Sequence, residues 1–584
     1  MPNCTIYRRR CIQLAHNRNQ NLKKLLRYLR PYYSLLSIAI VLMIFSASVD
    51  ILMPKLLQNA IDNNIAKGDI KGLMSYVGLI ALVVVVSTIA VAIRMRLVTQ
   101  VGQKAIKNIR TDLFSHIQQL PAAFFDKMPV GKIMTRLTSD VDSLARLFEA
   151  GIVSMIVDSV MLVGIIVVMF YMNVKLAFLL LSVMPILIYV TFFLRPIILD
   201  TEDRIREETS KLNASSQEII SGVRVIQAFN AEEYFSKRFD SANKELRDSS
   251  LRSLNVWSYY WPLVDIAYYI ALALVIYVGG KMAYEGIISV GTVLAFILYA
   301  GRFFHPLRSL AQASRIIQKA ITGADRIVAI LETPKEPTGD INIPLIKGEV
   351  NFEAVNFSYD PGEPVLTDFN LKASPGEMIA LVGHTGAGKT SVINLLCRFY
   401  EPDSGRILVD GVDITKTNLA GYRSQVGLVL QDPFLFSGSL RENLQRGKPT
   451  ATDEEMEKAL QIVGLKEENG LSLDLLLTER GQNLSFGQRQ LVSFARALLA
   501  DPRILILDEA TAHVDTITEH HIQQALNVLL KGRTSFVIAH RLSTIREADQ
   551  IVVLGQGRIL ETGTHQELVA AEKEYFTLLQ AATN

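Results

Sequence analysis

The chain divides into two parts by the pattern of its hydrophobic and polar positions. Long apolar runs dominate residues 21–330, whereas residues 346–584 alternate short β-branched runs with amphipathic stretches and glycine turns. Residues 331–345 between them are polar and contain prolines, which is typical of a linker, and residues 1–20 form a basic tail that we expect in the cytosol. We therefore expect a multidomain protein with a transmembrane domain followed by an α/β domain.

The apolar runs match the length of membrane-spanning helices. A bilayer core about 30 Å thick needs roughly 20 apolar residues per helix, and the first part contains six such runs. They are residues 34–53, 73–93, 151–172, 174–194, 256–279 and 287–307. A basic amphipathic stretch at residues 22–30 precedes the first run and predicts a helix at the membrane interface.

The polar segments between the runs differ in length and charge. Residues 94–150 and 195–255 are long, rich in Lys and Arg and periodic like helices, whereas the loops at 173–175 and 280–287 are short and carry few charges. The positive-inside rule then places both termini and both long segments in the cytosol. We expect an all-α transmembrane six-helix domain whose helices continue into the cytosol as stalks.

A phosphate-binding loop opens the first strand–helix unit of the second part. The apolar strand 379–382 runs into GHTGAGKT, which is G-x-x-x-x-G-K-[ST] in its required context of strand, loop and helix. Its glycines let backbone N–H groups close around phosphates at a helix N-terminus, while the lysine reaches the β- and γ-phosphates and the threonine binds Mg²⁺. The predicted binding residues are Gly383, His384, Thr385, Gly386, Ala387, Gly388, Lys389, Thr390 and Ser391.

A second apolar strand ends in two carboxylates. RILILDEAT, residues 503–511, is typical of a buried parallel strand and ends at Asp508 and Glu509. Adjacent acids at a helix start are often caps. After a phosphate-binding loop, however, they predict that Asp508 holds Mg²⁺ and that Glu509 orients and polarises the attacking water. The second part is therefore predicted to be an α/β P-loop NTPase, with a helical subdomain around residues 440–500.

The remaining motifs resemble the ABC transporter superfamily, exporter type, in which six transmembrane helices are fused to one ATP-binding cassette. NLSFGQRQLVSFARALL, residues 483–499, resembles the ABC signature, and TERG at 478–481 fits exporters. Residues 124–144 and 218–233 look like the two cytosolic loops of such exporters, so the resemblance spans about residues 20–580. It implies ATP and Mg²⁺ as cofactors.

The resemblance assigns roles to residues beyond the phosphate-binding loop. Tyr359 would stack on adenine, Gln431 would sense Mg²⁺ and water, His540 would contact the γ-phosphate and Asp515 would lie in the loop that bridges two cassettes. A tyrosine or histidine at a strand end is otherwise more often structural. The signature residues Ser485, Gly487 and Gln488 would bind ATP held by the opposite cassette. The implied catalytic set is Glu509, His540 and Gln431, and the implied metal set is Thr390, Gln431 and Asp508.

One signature residue departs from the family pattern. The signature usually reads LSGGQ, and Phe486 replaces its third residue here. Glu509 is intact, and the resemblance implies that it serves this chain's own ATP whereas Phe486 lies beside the partner's. One altered and one intact half-site is the pattern of an asymmetric heterodimer whose other chain lacks the catalytic glutamate. We therefore favour a heterodimer with a second exporter half over a homodimer.

Composition narrows the function classes further. The hydrophobic fraction of 49% and the mean hydropathy of +0.26 are high for a purely soluble protein. A net charge of +3 argues against nucleic acid as a partner. Three cysteines, Cys4, Cys11 and Cys397, predict no disulfide framework and fit a reducing cytosol, with Cys397 as a small core residue. The basic N-terminus has no apolar run directly behind it, so we expect no cleavable signal peptide.

Several residues inside the predicted spans are candidates for contact with a substrate. Charged residues cost at least ~2.5 kcal/mol each in lipid, so the acids Asp50, Asp158 and Asp265 should face protein or water. For Asp158, a cation-binding role and an ion pair or misplaced span boundary are equally compatible, whereas the structural interpretation is favoured for Asp50. The aromatic residues of the fifth span predict an interfacial belt or a surface for flat substrates. The belt is favoured for Trp257 and Trp261, whereas both interpretations are open for Tyr268 and Tyr269.

The predicted function is ATP-driven export of amphipathic small molecules, drugs or lipids, by alternating access. The chain would act as half of a dimer in the bilayer of a bacterial plasma (inner) membrane, with the ATP-binding domain in the cytosol. The alternatives are an ATP-gated channel, a non-transporting membrane ATPase and an importer. A peptide exporter with an N-terminal protease domain is not expected, because only about 20 residues precede the amphipathic stretch.

Overall fold

The computed structural model describes residues 20–360, 362–465, 471–508, 516–539 and 542–583, which form two compact units. The helical unit contains the described residues up to Ile117 together with Ile133–Glu332. The α/β unit contains Gln118–Lys132 and the described residues from Thr333 onward. Segment 118–132, which the sequence analysis placed in the transmembrane domain, therefore packs within the α/β unit.

Residues 20–331 are almost entirely helical. A short 3₁₀ helix, Arg27–Tyr32, precedes the first long helix, and π-helical turns occur at Ile61–Ile65, Arg136–Asp140 and Leu147–Gly151. The α-helices are α1 Tyr33–Ala60, α2 Ile70–Ile117, α3 Ala122–Lys127, α4 Val130–Thr135, α5 Val141–Arg146, α6 Ile152–Met172, α7 Val174–Leu181, α8 Met184–Ser221, α9 Val223–Ala228, α10 Glu232–Tyr284 and α11 Val290–Leu331.

Most of the predicted spans lie in helices that suit a bilayer. Within the described residues, five helical stretches are long and apolar enough to cross a membrane: Gln20–Ile65, Ile70–Ile117, Val130–Met172, Val174–Ser221 and Glu232–Tyr284. The sixth predicted span coincides with the shorter apolar part of α11, Val290–Phe303. Only 6% of the most apolar window of α2 is buried within the chain, so most of its hydrophobic surface is left for lipid or another chain to cover.

The amphipathic stretch before α1 packs against protein. Leu25 and Leu29 are buried within the helical unit. Tyr28 donates a hydrogen bond to Asp112 of α2 at 2.8 Å, and Asn21 donates to Asp325 of α11 at 2.9 Å. Lys24 forms an ion pair with Glu332, directly after α11. The apolar face that predicted an interfacial helix is thus covered by neighbouring helices.

The α/β unit is built on two main sheets. Its strands are β1 Val350–Ser358, β2 Pro364–Ala373, β3 Met378–Gly383, β4 Ser404–Val409, β5 Val412–Asp413, β6 Val426–Val429, β7 Gly438–Ser439, β8 Leu476–Leu477, β9 Ile504–Asp508, β10 Thr534–Ile538, β11 Gln550–Gly555 and β12 Arg558–Gly563. Strands β2, β1, β4 and β5 form an antiparallel sheet in that order. The larger sheet has the order β12-β11-β3-β10-β9-β6, with all pairs parallel except β11–β12.

Helices cover the larger sheet, and some form the predicted helical subdomain. They are α12 Lys389–Leu396, α13 Leu419–Arg423, α14 Leu440–Gln445, α15 Asp453–Ile462, α16 Phe486–Ala500, α17 Thr516–Leu530, α18 Leu542–Arg546, α19 His565–Ala570 and α20 Glu574–Thr583. Helices α14, α15 and α16 pack together in one apolar cluster. The multidomain fold class predicted from the sequence is confirmed.

Both faces of the parallel sheet are buried. Along β9, Leu505 and Leu507 belong to the cluster with α16, whereas Ile504 and Ile506 belong to the cluster with the antiparallel sheet. Successive side chains of a strand point to opposite faces, so a strand covered on both sides is apolar throughout. Cys397 is buried in the second cluster, as predicted, and burial raises the pKa of its thiol to about 12.

A buried arginine ties the start of the α/β unit to its core. Arg398 is 3% exposed and has a positive φ of 54°. Its guanidinium donates to the carbonyl oxygens of Thr417, Thr415 and Pro337 at 2.7, 2.8 and 3.1 Å. Shortening the side chain would remove all three hydrogen bonds, although the Thr417 carbonyl would keep the one that it accepts from the Gly339 N–H.

We expect Arg398→Ala to destabilise the α/β unit by about 2–4 kcal/mol, because it removes a buried charged donor that bonds three backbone carbonyl oxygens. The thermal transition of this unit in the full chain should fall by several degrees. Arg406→Ala is the matched control, since Arg406 forms a largely exposed ion pair with Glu353 and such pairs contribute about 0–1 kcal/mol. If both variants lowered the transition temperature equally, Arg398 would not have the stabilising role that we assign to it.

Candidate nucleotide-binding site

Three predicted motifs meet at one edge of the parallel sheet. Ile538 of β10 lies opposite Leu381 of β3 on one side and Asp508 of β9 on the other. Val429 of β6 lies opposite Leu507 of β9. The carboxyl ends of these strands therefore share one edge, where the phosphate-binding loop, Asp508 and Gln431 follow them. Gln431 is exposed and Asp508 is half-buried.

Other predicted residues lie outside the described residues. Glu509 follows Asp508 directly, and His540 comes two residues after the end of β10. Asp515 belongs to the same undescribed stretch as Glu509. Their predicted roles stay predictions.

The phosphate-binding loop adopts a backbone that requires glycine. Gly383, Gly386 and Gly388 have φ values of 152°, 83° and 103°. A Cβ atom on Gly383 would lie 2.2 Å from the carbonyl oxygen of Leu554, which no side chain could tolerate. Helix α12 begins directly after the loop, so the N–H groups at its N-terminus would face a phosphate bound in the loop.

Lys389 closes the loop on itself. Its Nζ donates to the carbonyl oxygen of Gly383 at 2.6 Å and to that of His384 at 2.9 Å. Burial lowers the pKa of Lys389, while the nearby carboxylate of Asp508 opposes that shift. The ammonium group is therefore held inside the loop, beside the acid at the end of β9.

Tyr359 lies against the first turns of α12. Its hydroxyl is 3.1 Å from the Ser391 hydroxyl and accepts a hydrogen bond from Asn394 at 3.0 Å. Its ring packs edge-to-face with Phe357 and Tyr400, at centroid distances of 4.8 and 5.0 Å. The aromatic residue predicted to stack on adenine thus stands beside the phosphate-binding loop.

Sequence reasoning missed two residues that contact Tyr359, Asn394 and Tyr400. Asn394 lies one helical turn after Thr390, so a search for polar residues at i+4 of α12 would have found it. Tyr400 lies after the helix, and no motif of the sequence signals its contact with Tyr359.

The oxygen donors at the sheet edge suit Mg²⁺. Thr390 offers a hydroxyl, Asp508 a carboxylate and Gln431 an amide oxygen. Mg²⁺ prefers oxygen ligands and is usually held by one or two protein groups together with substrate phosphates and water. Three donors beside a phosphate-binding loop fit that chemistry, and Thr390 and Gln431 are exposed to a ligand.

The signature residues lie on another element, the start of α16. Ser485 caps this helix: its hydroxyl accepts from the Gln488 N–H at 3.2 Å, and the Gln488 side chain accepts from the Ser485 N–H at 2.9 Å. Gly487 is buried. The Phe486 ring is half-buried and lies 5.7 Å from the Arg489 guanidinium, so it packs along the first turn of the helix.

The acids predicted inside the spans differ in their surroundings. Asp158 of α6 is buried, at 7% exposure, and accepts a hydrogen bond from Ser309 of α11. Asp50 of α1 lies 3.8 Å from the guanidinium of Arg302, which also donates to its backbone carbonyl. Asp265 is exposed. The contact with Arg302 supports the predicted ion pair of Asp50.

The aromatic residues of α10 form a stacked group. Trp257 and Trp261 lie with ring planes 22° apart at 6.0 Å, and Tyr260 packs against both. Tyr268 and Tyr269 are in contact at 5.2 Å, and Tyr269 is exposed. An interfacial belt and a substrate surface both stay compatible with this geometry.

Two family profiles match the chain. One, described as the ABC transporter transmembrane region, covers residues 36–307, and the other, described as ABC transporter, covers residues 366–512. The chain is 39% identical to "Uncharacterized ABC transporter ATP-binding protein YknV" of Bacillus subtilis over 96% of this chain and 94% of that protein. It is 39% identical to "Probable multidrug resistance ABC transporter ATP-binding/permease protein YheH" of the same organism, over 82% and 72%. It is also 34% identical to an "ATP-dependent lipid A-core flippase" of Syntrophus aciditrophicus, over 96% and 94%.

We expect Lys389→Ala to weaken nucleotide binding at this chain's site about 100-fold, because it removes the one lysine held inside the loop and its charge-assisted hydrogen bonds to phosphate. Photolabelling of this chain with an azido-ATP would measure the loss. Lys372→Ala, at an exposed lysine of β2 paired with Glu349, should label like the wild type. If the Lys389→Ala variant were labelled as strongly as the wild type, the assignment of Lys389 to the nucleotide-binding site would be wrong.

Proposed function

This chain belongs to the ABC transporter family, as an integral membrane protein of the exporter type that couples ATP hydrolysis to transport, and from that premise we propose that it exports amphipathic small molecules, drugs or lipids, by alternating access. The observation that carries the proposal is the fusion of a lipid-requiring helical unit with a phosphate-binding sheet edge in one chain. Relatives named for multidrug resistance and for lipid A-core flipping support this cargo class. We place both termini and the α/β unit in the cytosol of a bacterial cell.

The phosphate-binding loop and Tyr359 would hold ATP. Phosphate oxygens would take the place of the Gly383 and His384 carbonyls as partners of the Lys389 ammonium group. Backbone N–H groups of the loop and of the first turn of α12 would donate to the same phosphates. Thr390, Asp508 and Gln431 would hold Mg²⁺, which supplies charge neutralisation on the phosphates when bound.

Hydrolysis would depend on groups that follow the strand ends. Glu509 is proposed to orient and polarise the attacking water, and His540 to donate to the γ-phosphate as charge develops there. Strands β9 and β10, which precede these two residues in the chain, are paired in parallel, and this pairing supports the proposal. Gln431 at the end of β6 would position the same water.

We propose a heterodimer with a second exporter half that lacks its catalytic glutamate. The support is Phe486, which places a large ring in the first turn of α16 where the family pattern has glycine. The ring packs on Arg489 at the start of α16, so the signature keeps its helix cap while presenting a bulkier surface to the partner's ATP. Ser485, Gly487 and Gln488 would still donate to that phosphate.

The test of export is uphill transport. The chain and its copurifying partner would be reconstituted into vesicles with the α/β unit outside, and uptake of ethidium and of a short-chain fluorescent phospholipid would be followed on adding Mg·ATP. Accumulation above the external concentration of ethidium, or net transfer of the phospholipid between leaflets, supports export. ATP-dependent equilibration without accumulation would instead indicate a channel, and hydrolysis without either would indicate a non-transporting ATPase.

We expect Glu509→Gln to leave ATP binding intact and to lower turnover by about 100-fold or more, because the amide is isosteric but cannot act as a base. In a heterodimer with one competent site, this single change should stop nearly all hydrolysis. Glu454→Gln, at an exposed acid in the first turn of α15, is the matched control. A residual rate of half the wild type would show two competent sites and contradict the asymmetric pair.

Phe486→Gly should change the maximal ATPase rate by less than about tenfold, or ~1.4 kcal/mol on the barrier, because the partner's site would lack a base. Restoring a glutamate in the partner together with Phe486→Gly should raise the rate more than the two single changes predict, since loop and base act on one γ-phosphate. A double-mutant cycle on the purified complex measures this. Full activity of this chain as a homodimer would overturn the asymmetry.

A further inference from the structure

Helix α10 carries a row of aromatic and acidic side chains within its predicted membrane span. Trp257, Trp261, Asp265 and Tyr269 follow one another at intervals of four residues. Residues four apart are neighbours on the surface of a helix and form one ridge along it. At 1.5 Å per residue, the ridge from Trp257 to Tyr269 is about 18 Å long. These four residues are called the α10 row below.

The α10 row becomes more exposed along its length. Trp257 is half-buried, whereas Trp261 and Tyr269 are 40% and 63% exposed and Asp265 is exposed as well. Small and aliphatic residues form the side of α10 that is buried in the core of the helical unit, namely Val264, Ala267, Ala271 and Val275. The core of the chain therefore leaves the polar and aromatic surface of the row uncovered beyond Trp257.

Tyr260 fixes the orientation of the two indole rings. The rings of Trp257 and Trp261 lie 6.0 Å apart with planes 22° from parallel. Tyr260 packs edge-to-face on them, at 5.5 Å from Trp257 and 5.4 Å from Trp261, and its hydroxyl lies 3.5 Å from that of Thr191 on α8. Rings that are already held in place lose little conformational freedom when a ligand stacks on them.

Asp265 distinguishes the row from an interfacial belt. Within the predicted span 256–279, it lies about 14 Å from the first residue, near the middle of a bilayer core about 30 Å thick. A carboxylate at that depth faces water or protein, because hydrocarbon cannot solvate its charge. Belt residues instead face lipid at the level of the headgroups. The row therefore borders a space that water, cargo or another chain occupies.

The chemistry of the row suits a flat cation. The face of an aromatic ring carries negative electrostatic potential and attracts cations, and tryptophan does so more strongly than tyrosine or phenylalanine. The carboxylate of Asp265 adds a full negative charge one helical turn beyond Trp261. A neutral ring would gain only the stacking contribution, and an anion would be repelled by the carboxylate.

We propose that the α10 row is a binding site for planar aromatic monocations, in which Trp261 stacks on the ligand ring and Asp265 sets the preference for positive charge. This inference rests on the proposed export of amphipathic small molecules and names a class of cargo for it. The side chain of Tyr269 closes the far end of the site, one turn beyond the carboxylate.

Binding of ethidium, a planar aromatic monocation, tests the site. The full chain with its copurifying partner would be placed in phosphatidylcholine nanodiscs without nucleotide, and empty nanodiscs would give the background. Phenanthridine, the uncharged parent ring system of ethidium, measures stacking without charge. Trp257 and Trp261 are the only tryptophans of this chain. The quenching that is lost in a Trp257→Phe/Trp261→Phe double variant therefore reports ligand at the row.

Asp265→Asn should weaken ethidium binding about tenfold and change phenanthridine binding by less than about twofold, because it removes the charge and keeps the rings. Asp265→Glu keeps the charge and should bind ethidium within about threefold of the wild type. Trp261→Ala should weaken the binding of both ligands about fivefold. Tyr259→Ala is the matched control, since Tyr259 is 71% exposed on the same helix but lies outside the row, and it should bind both ligands like the wild type.

Three results would overturn the site. They are an equal loss of ethidium and phenanthridine binding in Asp265→Asn, ethidium binding that quenches neither tryptophan of this chain, and absence of ethidium binding to the wild type. If Asp265→Asn does not fold, Trp261→Ala compared with Tyr259→Ala tests the location, and a wild-type preference for phenanthridine over ethidium would overturn the charge selection. Ethidium binding at the row without ATP-driven transport of ethidium or phospholipid would instead overturn the proposed export.

Discussion

The parallel register of strands β3, β10, β9 and β6 is the constraint on which the candidate site depends. Parallel strands must each be followed by a crossover, so every strand delivers its next residues to the same edge. The register places Leu381, Ile538 and Asp508 side by side. Leu381 and Asp508, which are more than a hundred positions apart in the chain, thereby lie on either side of Ile538 in the sheet. Burial of both sheet faces stabilises this arrangement. A slip of one residue would turn Asp508 from one face to the other.

The parts of the fold that could be predicted are those with a local cause. The phosphate-binding loop was recognisable because Gly383 and Gly388 adopt backbone angles and close approaches that other residues would not tolerate. The apolar run before Asp508 identified a strand buried on both faces, and the family, the fold class and the coupling to ATP hydrolysis predicted from such motifs are confirmed.

The contacts that sequence reasoning could not predict depend on long-range packing. Leu25 and Leu29 make an amphipathic face that suits a membrane surface, yet helices α2 and α11 supply the contacts of their segment. Tyr400 and Asp126 are 274 positions apart, and nothing in either local sequence signals the other. An amphipathic pattern predicts that the apolar face of a helix is buried, but it does not predict whether lipid or protein buries that face.

Several polar contacts of the described helical unit join α1 to α11. Gln58 donates to Thr292 at 2.7 Å, both residues are buried, and Tyr299 donates to the Ile51 carbonyl at 2.7 Å. A polar group facing lipid has no water to bond, so such pairs favour protein neighbours over lipid. The two helices therefore resist separation. We infer that any opening of the helical unit is more costly between α1 and α11 than along contacts made by apolar side chains alone.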